Sequence, residues 1–448
     1  MDISSSQTTI YCHFCKGIID PANLSDIQLN SHSDCRSEID SFTRERSQRL
    51  KHLLDFQHIL PYLLPEELDV LESLDLSGRN LSSIRPSIGF LNKLRELNLS
   101  YNPFSSLPDS FCNLSHLQIL FLSNTRLTQL PEAIGSLSNL KEFYAVSTNL
   151  SSLPDSFYSL HNLHKLVLGG SLTLSPALTK FSNLHFLKLR IPHVSPILDS
   201  LCALVSLRTL DFSFSNLSHL PNHIGSLTNL SRFFLIANRL TQLPDSFCHL
   251  RSLVRLDLTG NRLTSFPADF GNLQQLTALY ADKNSLQSLP GSFTHLTALQ
   301  TLNLGFNQLS SLPQIFSQLS QLQHLSLNNN NLSILPDSLG DLPLLDTLKL
   351  NNNQLTSLPD TITQLNNLEK LYVNNNNLAN LPATLGQMKS LRILNVSDNP
   401  LVELPSSIIT LPNLRELIID RRFTNFPDDF DTLDNLHVEF MLPKSSHS

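Results

Sequence analysis

The stretch LQTLNLGFNQLSSLPQIFSQLSQ, Leu299–Gln321, is followed directly by LQHLSLNNNNLSILPDSLGDLPL, Leu322–Leu344. Both fit one template, L-x-x-L-x-L-x-x-N-x-L-x-x-L-P plus eight further residues, a period of 23. Working outward in both directions, the template recurs in sixteen units, starting at Leu71, Leu94, Leu117, Leu140, Leu163, Leu184, Leu207, Leu230, Leu253, Leu276, Leu299, Leu322, Leu345, Leu368, Leu391 and Leu414. The spacing departs from 23 once, falling to 21 between Leu163 and Leu184. Self-similarity at such a period marks a stacked array. One unit cannot bury its own apolar face, whereas neighbours stacked face to face bury a continuous core. The L-x-L step predicts a short strand with its leucines inward and the intervening residue outward. Each inward leucine contributes roughly 1.5–3 kcal/mol of burial. The ninth position is Asn in nine units, Asn102 and every unit from Asn238 to Asn399. Its amide suits a place where the chain leaves the strand and exposes backbone groups. The LPDSF and LPDSL segments predict a short helical return, with Pro and a capping Asp or Ser at its start.

From Leu71 to Leu436 this pattern resembles the leucine-rich repeat family. The LPxxIGxLxxL form of the return is similar to the 23-residue, intracellular, Ras-associated group within it. The resemblance implies an α/β solenoid, a right-handed horseshoe with a concave parallel β-sheet. It also implies a non-catalytic scaffold, since members of that group bind small GTPases, phosphatases and other signalling proteins.

The chain has 448 residues, of which 41% are apolar and only 15% charged, with net charge −7. That balance disfavours a general nucleic-acid or anionic-membrane binder. No window approaches eighteen continuous apolar residues, so no membrane span is expected. The leader MDISSSQTTIYCHFC has neither a basic region nor an apolar run, which points away from secretion and towards the cytoplasm. The N-L-S tripeptides at Asn98 and Asn229 read as by-products of the repeat rather than glycosylation sites. None of the hydrolase, zinc-protease, phosphate-loop or dinucleotide motifs is present, so no enzyme is expected.

The first residues carry a different chemistry. Cys12-x2-Cys15-x16-His32-x2-Cys35 offers three thiols and one imidazole in two close pairs. This donor set and spacing suit a tetrahedral zinc ion, and four protein ligands make the site structural rather than catalytic. So short a segment has no core of its own, and metal binding drives the folding of such modules. A disulfide is the competing reading, disfavoured by an odd set of three cysteines beside a well-placed histidine. The spacing resembles the first zinc-binding half of a LIM domain, CHFCKGII included, but no second C-x2-C follows Cys35. The surrounding acids, among them Asp20, Asp26 and Asp34, argue against a nucleic-acid finger.

The expected organisation is therefore a disordered 1–9, a zinc-binding module at 10–38, a helical N-terminal cap at 39–70, sixteen repeats at 71–436, and a C-terminal cap and tail at 437–448. Positions three, five, seven and eight of each unit are expected to project from the concave sheet. In the later units these are polar, as at Asn328, Asn329, Asn351, Asn352, Asn374 and Asn375. In units three to eight they become apolar and aromatic: Ile119, Phe121, Tyr144, Val146, Val167, Phe186, Ile191, Phe214, Phe234 and Ile236, with Lys188, Arg190 and Arg232 among them. The ninth-position Asn is lost in units three to seven, replaced by Thr125, Thr148, Ser171, Pro192 and Ser215. A contiguous apolar patch with aromatics and arginines points to a protein partner. The alternative is that the units have drifted and the aromatics pack on one another. A further possibility is the substrate-recognition part of a ubiquitin-ligase-like system, recruited through the zinc module. The Gly169–Gly170 doublet reads as a turn. His164 and His185 share a template position and are expected to be neighbours, too few to hold a metal. Cys112, Cys202 and Cys248 read as small buried residues.

Overall fold

The computed structural model describes residues 70–192, 194–433 and 436–442, with the backbone of the strands Ile10–Tyr11 and Ile18–Ile19. The zinc set Cys12, Cys15, His32 and Cys35 lies outside the described residues, as do the expected helical cap up to residue 69 and the tail from 443. The chain divides into two units, Met1–Leu68 and Asp69–Ser448. In the first, Ile10–Tyr11 pairs antiparallel with Ile18–Ile19, and Cys12 and Cys15 fall between these strands in sequence.

In the second unit each L-x-L step is a strand, and each strand pairs in parallel with the next, from Ser73–Asp75 to Glu416–Asp420. The register is strict: Leu302 opposes Leu325, and Leu325 opposes Leu348. A seventeenth strand, His437–Met441, pairs in parallel with Glu416–Asp420, so the segment expected to close the array continues the sheet. No register joins the first of these strands to the last among the described residues, so the sheet is open. Stacking does what a single unit cannot. Leu97, Leu120, Leu256 and Leu279 are fully buried, and so are the return phenylalanines Phe247, Phe270 and Phe293. The three rings form a column, with centroids 6.5 and 6.1 Å apart.

The returns are tighter than an α-helix. They are 3₁₀ turns of three to five residues, and Leu198–Leu201 is the one α-helical return among the described residues. The capping expectation is corrected here. Pro108 itself occupies the N-cap of Asp109–Asn113, and no side chain caps that turn. Ser110 instead donates its hydroxyl to the Pro86 carbonyl at 2.6 Å, tying one return to the one before. Asn229 does the same with the Val205 carbonyl at 3.0 Å. Close stacking also explains the glycine in the returns, as in Phe270–Gly271. A Cβ on Gly271 would lie 1.9 Å from the Ser292 carbonyl oxygen.

The ninth-position Asn forms the predicted ladder. Asn330 is buried, donates to the Leu304 and Leu327 carbonyls at 2.9 and 3.0 Å, and accepts from the Leu309 amide at 3.0 Å. Where Asn is missing the ladder thins. Thr125 reaches only the Leu122 carbonyl at 2.9 Å, and the buried Thr148 hydroxyl has no hydrogen-bond partner. The backbone compensates over part of this gap. Glu142–Thr148, Lys165–Gly170 and Phe186–Arg190 run for seven, six and five residues, and pairing extends to Gly169 opposite Arg190. Gly169 and Gly170 therefore end a strand rather than make the expected turn. A Cβ on Gly169 would meet Val146 Cγ1 at 2.9 Å, and Gly170 has φ +111°, so both the approach and the backbone favour glycine.

Candidate interaction surface

Side chains alternate along a strand, and neighbouring strands lie about 4.8 Å apart, so equivalent positions of successive units stack in columns on the open face of the sheet. Ile119, Phe121, Tyr144, Val146, Phe186, Lys188, Phe234 and Ile236 are half-buried on this face. Arg190, Phe214 and Arg232 are exposed. Val167 is nearly covered, at 8% exposure.

Ile191 corrects the expectation, being fully buried. The eighth position explains why. In the other units of this region it adopts a left-handed backbone, as at Ser147, Gly170, Phe214 and Ala237, which turns the side chain off the strand. Phe214, at φ +61°, is 54% exposed as a result. A β-branched residue resists that conformation. Ile191 is not among the left-handed residues, and its side chain stays inside the core.

The aromatic rings on the face are not free plates. Phe121 and Tyr144 stack with centroids 4.5 Å apart. Lys165 Nζ sits 5.1 Å from the Tyr144 ring and 5.0 Å from that of Phe186. The Arg190 guanidinium lies over Phe214 at 4.9 Å. Arg255 lies 5.8 Å from the Phe234 ring and 4.8 Å from that of Tyr280. Part of the alternative reading thus holds, since aromatics do pack on one another and under cations. They nevertheless remain partly accessible on one contiguous face. Lys165, Arg255 and Tyr280 were not singled out in the sequence. They occupy positions three and five, so the column pattern carried the signal, but it became visible only when adjacent units were read together.

Charge on the face is layered. Lys188 Nζ reaches Asp211 at 2.7 Å, and that carboxylate is only 8% exposed and also accepts the Ser213 amide. Asp257 is equally recessed and accepts the Thr259 amide at 3.1 Å. Burial raises the Asp257 carboxyl above its ordinary value, opposed by its hydrogen bonds to Thr259. Tyr144 donates to Glu142, and burial together with that bond pushes its phenol far above the usual range. The acids therefore lie low, while Arg190, Arg232 and Arg255 stand in solvent.

Nothing on this face resembles an activated nucleophile or acid–base pair. Cys112, Cys202 and Cys248 are free and buried in the returns, away from it. His164 and His185 stack at 5.5 Å, and no group of three His, Cys, Asp or Glu is placed to hold a metal among the described residues. No helix there is long and apolar enough to cross a membrane.

Comparisons with known proteins agree with this architecture. The family model described as leucine-rich repeat region matches residues 52–193, 106–221, 167–285 and 311–392, and a single leucine-rich repeat model matches 298–319 and 390–411. A leucine-rich repeat protein of Leptospira interrogans is 29% identical, with TM-score 0.71, over 84% of this chain and 98% of that one. A plant peptide hormone receptor, solved in complex with RGF2, is 27% identical with TM-score 0.69, over 85% of this chain and 65% of the receptor. An internalin of Listeria monocytogenes shares the fold at 23% identity and TM-score 0.56, over 76% of this chain and 92% of its own. A search of curated proteins finds no match. Proteins of this repeat type generally serve as non-enzymatic surfaces for protein–protein interaction. The period, the parallel ladder of leucine strands and the matched residues together place the chain in the leucine-rich repeat family.

Proposed function

We propose that this protein is a non-enzymatic scaffold or adaptor that holds a protein partner on the open face of units three to eight. The observation that carries this reading is the coincidence of half-buried Phe121, Phe186 and Phe234 with exposed Arg190 and Arg232 on one rigid sheet. Aromatic and arginine side chains dominate interface energies, and a preformed strand array loses little freedom on binding. The plant receptor, solved with RGF2 bound, is a relative of similar architecture that takes a ligand. A small GTPase is the partner class suggested by the Ras-associated form of the return. We further propose a cytoplasmic location and one structural zinc ion on Cys12, Cys15, His32 and Cys35, a set that leaves no open coordination position.

The test begins with affinity purification of the full chain from its native cell and identification of the captured protein. Binding of that protein is then compared between wild type and the Phe121→Ala, Phe186→Ala, Phe234→Ala variant. A loss of about tenfold or more is expected from removing aromatic anchors. Unchanged affinity in a variant whose circular dichroism is native refutes the reading. A captured partner that is not a GTPase removes that class alone. For the metal, elemental analysis of the reduced full chain should find one zinc, lost in Cys12→Ser/Cys35→Ser, and a metal-free wild type refutes the site.

A further inference from the structure

The sheet carries an electrostatic arrangement that an isolated chain has little reason to keep. Register places Arg232 directly opposite Arg255 on adjacent strands, and like charges facing each other in this way are mutually destabilising. Neither is ion-paired to a described carboxylate, and nor is Arg190. All three are exposed, whereas the neighbouring Asp211 and Asp257 are sunk to 8% exposure and engaged by backbone amides. An approaching ligand meets guanidinium groups first. The chain as a whole has net charge −7, so this positive stripe runs against the overall balance. Between Arg190 and Ile236 in the seventh-position column, Ser213 is 5% exposed and its hydroxyl has no hydrogen-bond partner.

We propose that units six to nine bind an extended acidic segment of a partner protein, lying across the strands with carboxylates at Arg190, Arg232 and Arg255 and apolar side chains on Phe234 and Ile236. This rests on the reading above of the open face as a partner site, and names what that partner presents. A carboxylate between Arg232 and Arg255 relieves their repulsion and takes charge-assisted hydrogen bonds from both. A single-stranded nucleic acid would also answer a positive stripe, but it needs aromatic faces for base stacking. Here each of those rings already carries a cation over one face or a stacked ring: Arg190 over Phe214, Arg255 over Phe234 and Tyr280, and Phe121 and Lys165 against Tyr144, which leaves partial apolar surface rather than open two-faced stacking platforms. The aliphatic surface of Val146 and Ile236 suits peptide side chains better than bases.

The test uses the full chain and three labelled probes: a Glu/Leu alternating peptide, its Lys/Leu counterpart, and an oligothymidylate. Fluorescence anisotropy should show the acidic peptide binding best, more weakly as ionic strength rises. The Arg232→Glu/Arg255→Glu variant should lose about tenfold or more in affinity for it. Both residues are exposed, so a control further along the same sheet, Lys349→Glu/Lys370→Glu in units thirteen and fourteen, should leave binding intact. Equal or better binding of the basic peptide or the oligonucleotide overturns the proposal, as does an unchanged affinity in the double arginine variant. The natural partner, once captured, separates the two levels. If it is lost with the phenylalanine variant but retained with the arginine variant, the partner site stands and the acidic ligand falls.

Discussion

Replacing Asn330 by Ala measures how much of this fold is held by the asparagine ladder. The side chain is buried at 6% exposure and makes three close bonds: two donated, to the Leu304 and Leu327 carbonyls at 2.9 and 3.0 Å, and one accepted, from the Leu309 amide at 3.0 Å. Each such bond contributes a net of about 0.5–1.5 kcal/mol, and more when its partner is left buried and unsatisfied. Removing all three together should cost about 2–4 kcal/mol. Thr125 occupies the equivalent place in unit three and makes one bond, to the Leu122 carbonyl. Thr125→Ala should therefore cost about 0.5–1.5 kcal/mol. Urea unfolding followed by far-ultraviolet circular dichroism gives both values from the shift in midpoint at constant slope. Equal losses at the two sites, or a loss at Asn330 below about 1 kcal/mol, would refute the idea that the amide satisfies the backbone of two successive units.

Other outcomes follow from burial. Ile191→Ala should cost about 2–5 kcal/mol, as for a fully enclosed isoleucine, whereas an exposed one would change stability by less than about 0.5 kcal/mol. The same urea experiment decides between them. Burial pushes the Cys202 and Cys248 thiols up from 9.0 to about 11. The folded state thus holds these protons more tightly than the unfolded chain. The associated stabilisation is complete below pH 9 and is lost as the pH rises through about 11. Wild type should lose urea resistance across that window more steeply than Cys202→Ala/Cys248→Ala, and parallel profiles would contradict it. Gly271→Ala should lower stability by about 1–3 kcal/mol, because its Cβ would meet the Ser292 carbonyl at 1.9 Å, and thermal unfolding checks this.

Much was determined by the sequence alone. An apolar residue, mostly leucine, at every first, fourth and sixth position admits one burial pattern, and the ninth-position asparagine marks where the chain must turn, so strands, register and ladder follow from local periodicity. The anomalous span was also legible, because loss of Asn and gain of aromatics both break the template at known positions. Tertiary structure alone decided what those breaks do. The template would put Ile191 outside with Phe214. Its backbone does not take the left-handed turn that Phe214 takes, so its side chain goes into the core. The seven-residue strand at Glu142–Thr148 arises from pairing with a neighbour, a term that no single unit contains. The same holds for the face itself. Residues 23 apart in sequence, such as Arg232 and Arg255, become neighbours only through the stack, and whether a charge stands proud like Arg232 or lies recessed like Asp211 depends on what the adjacent units set beside it.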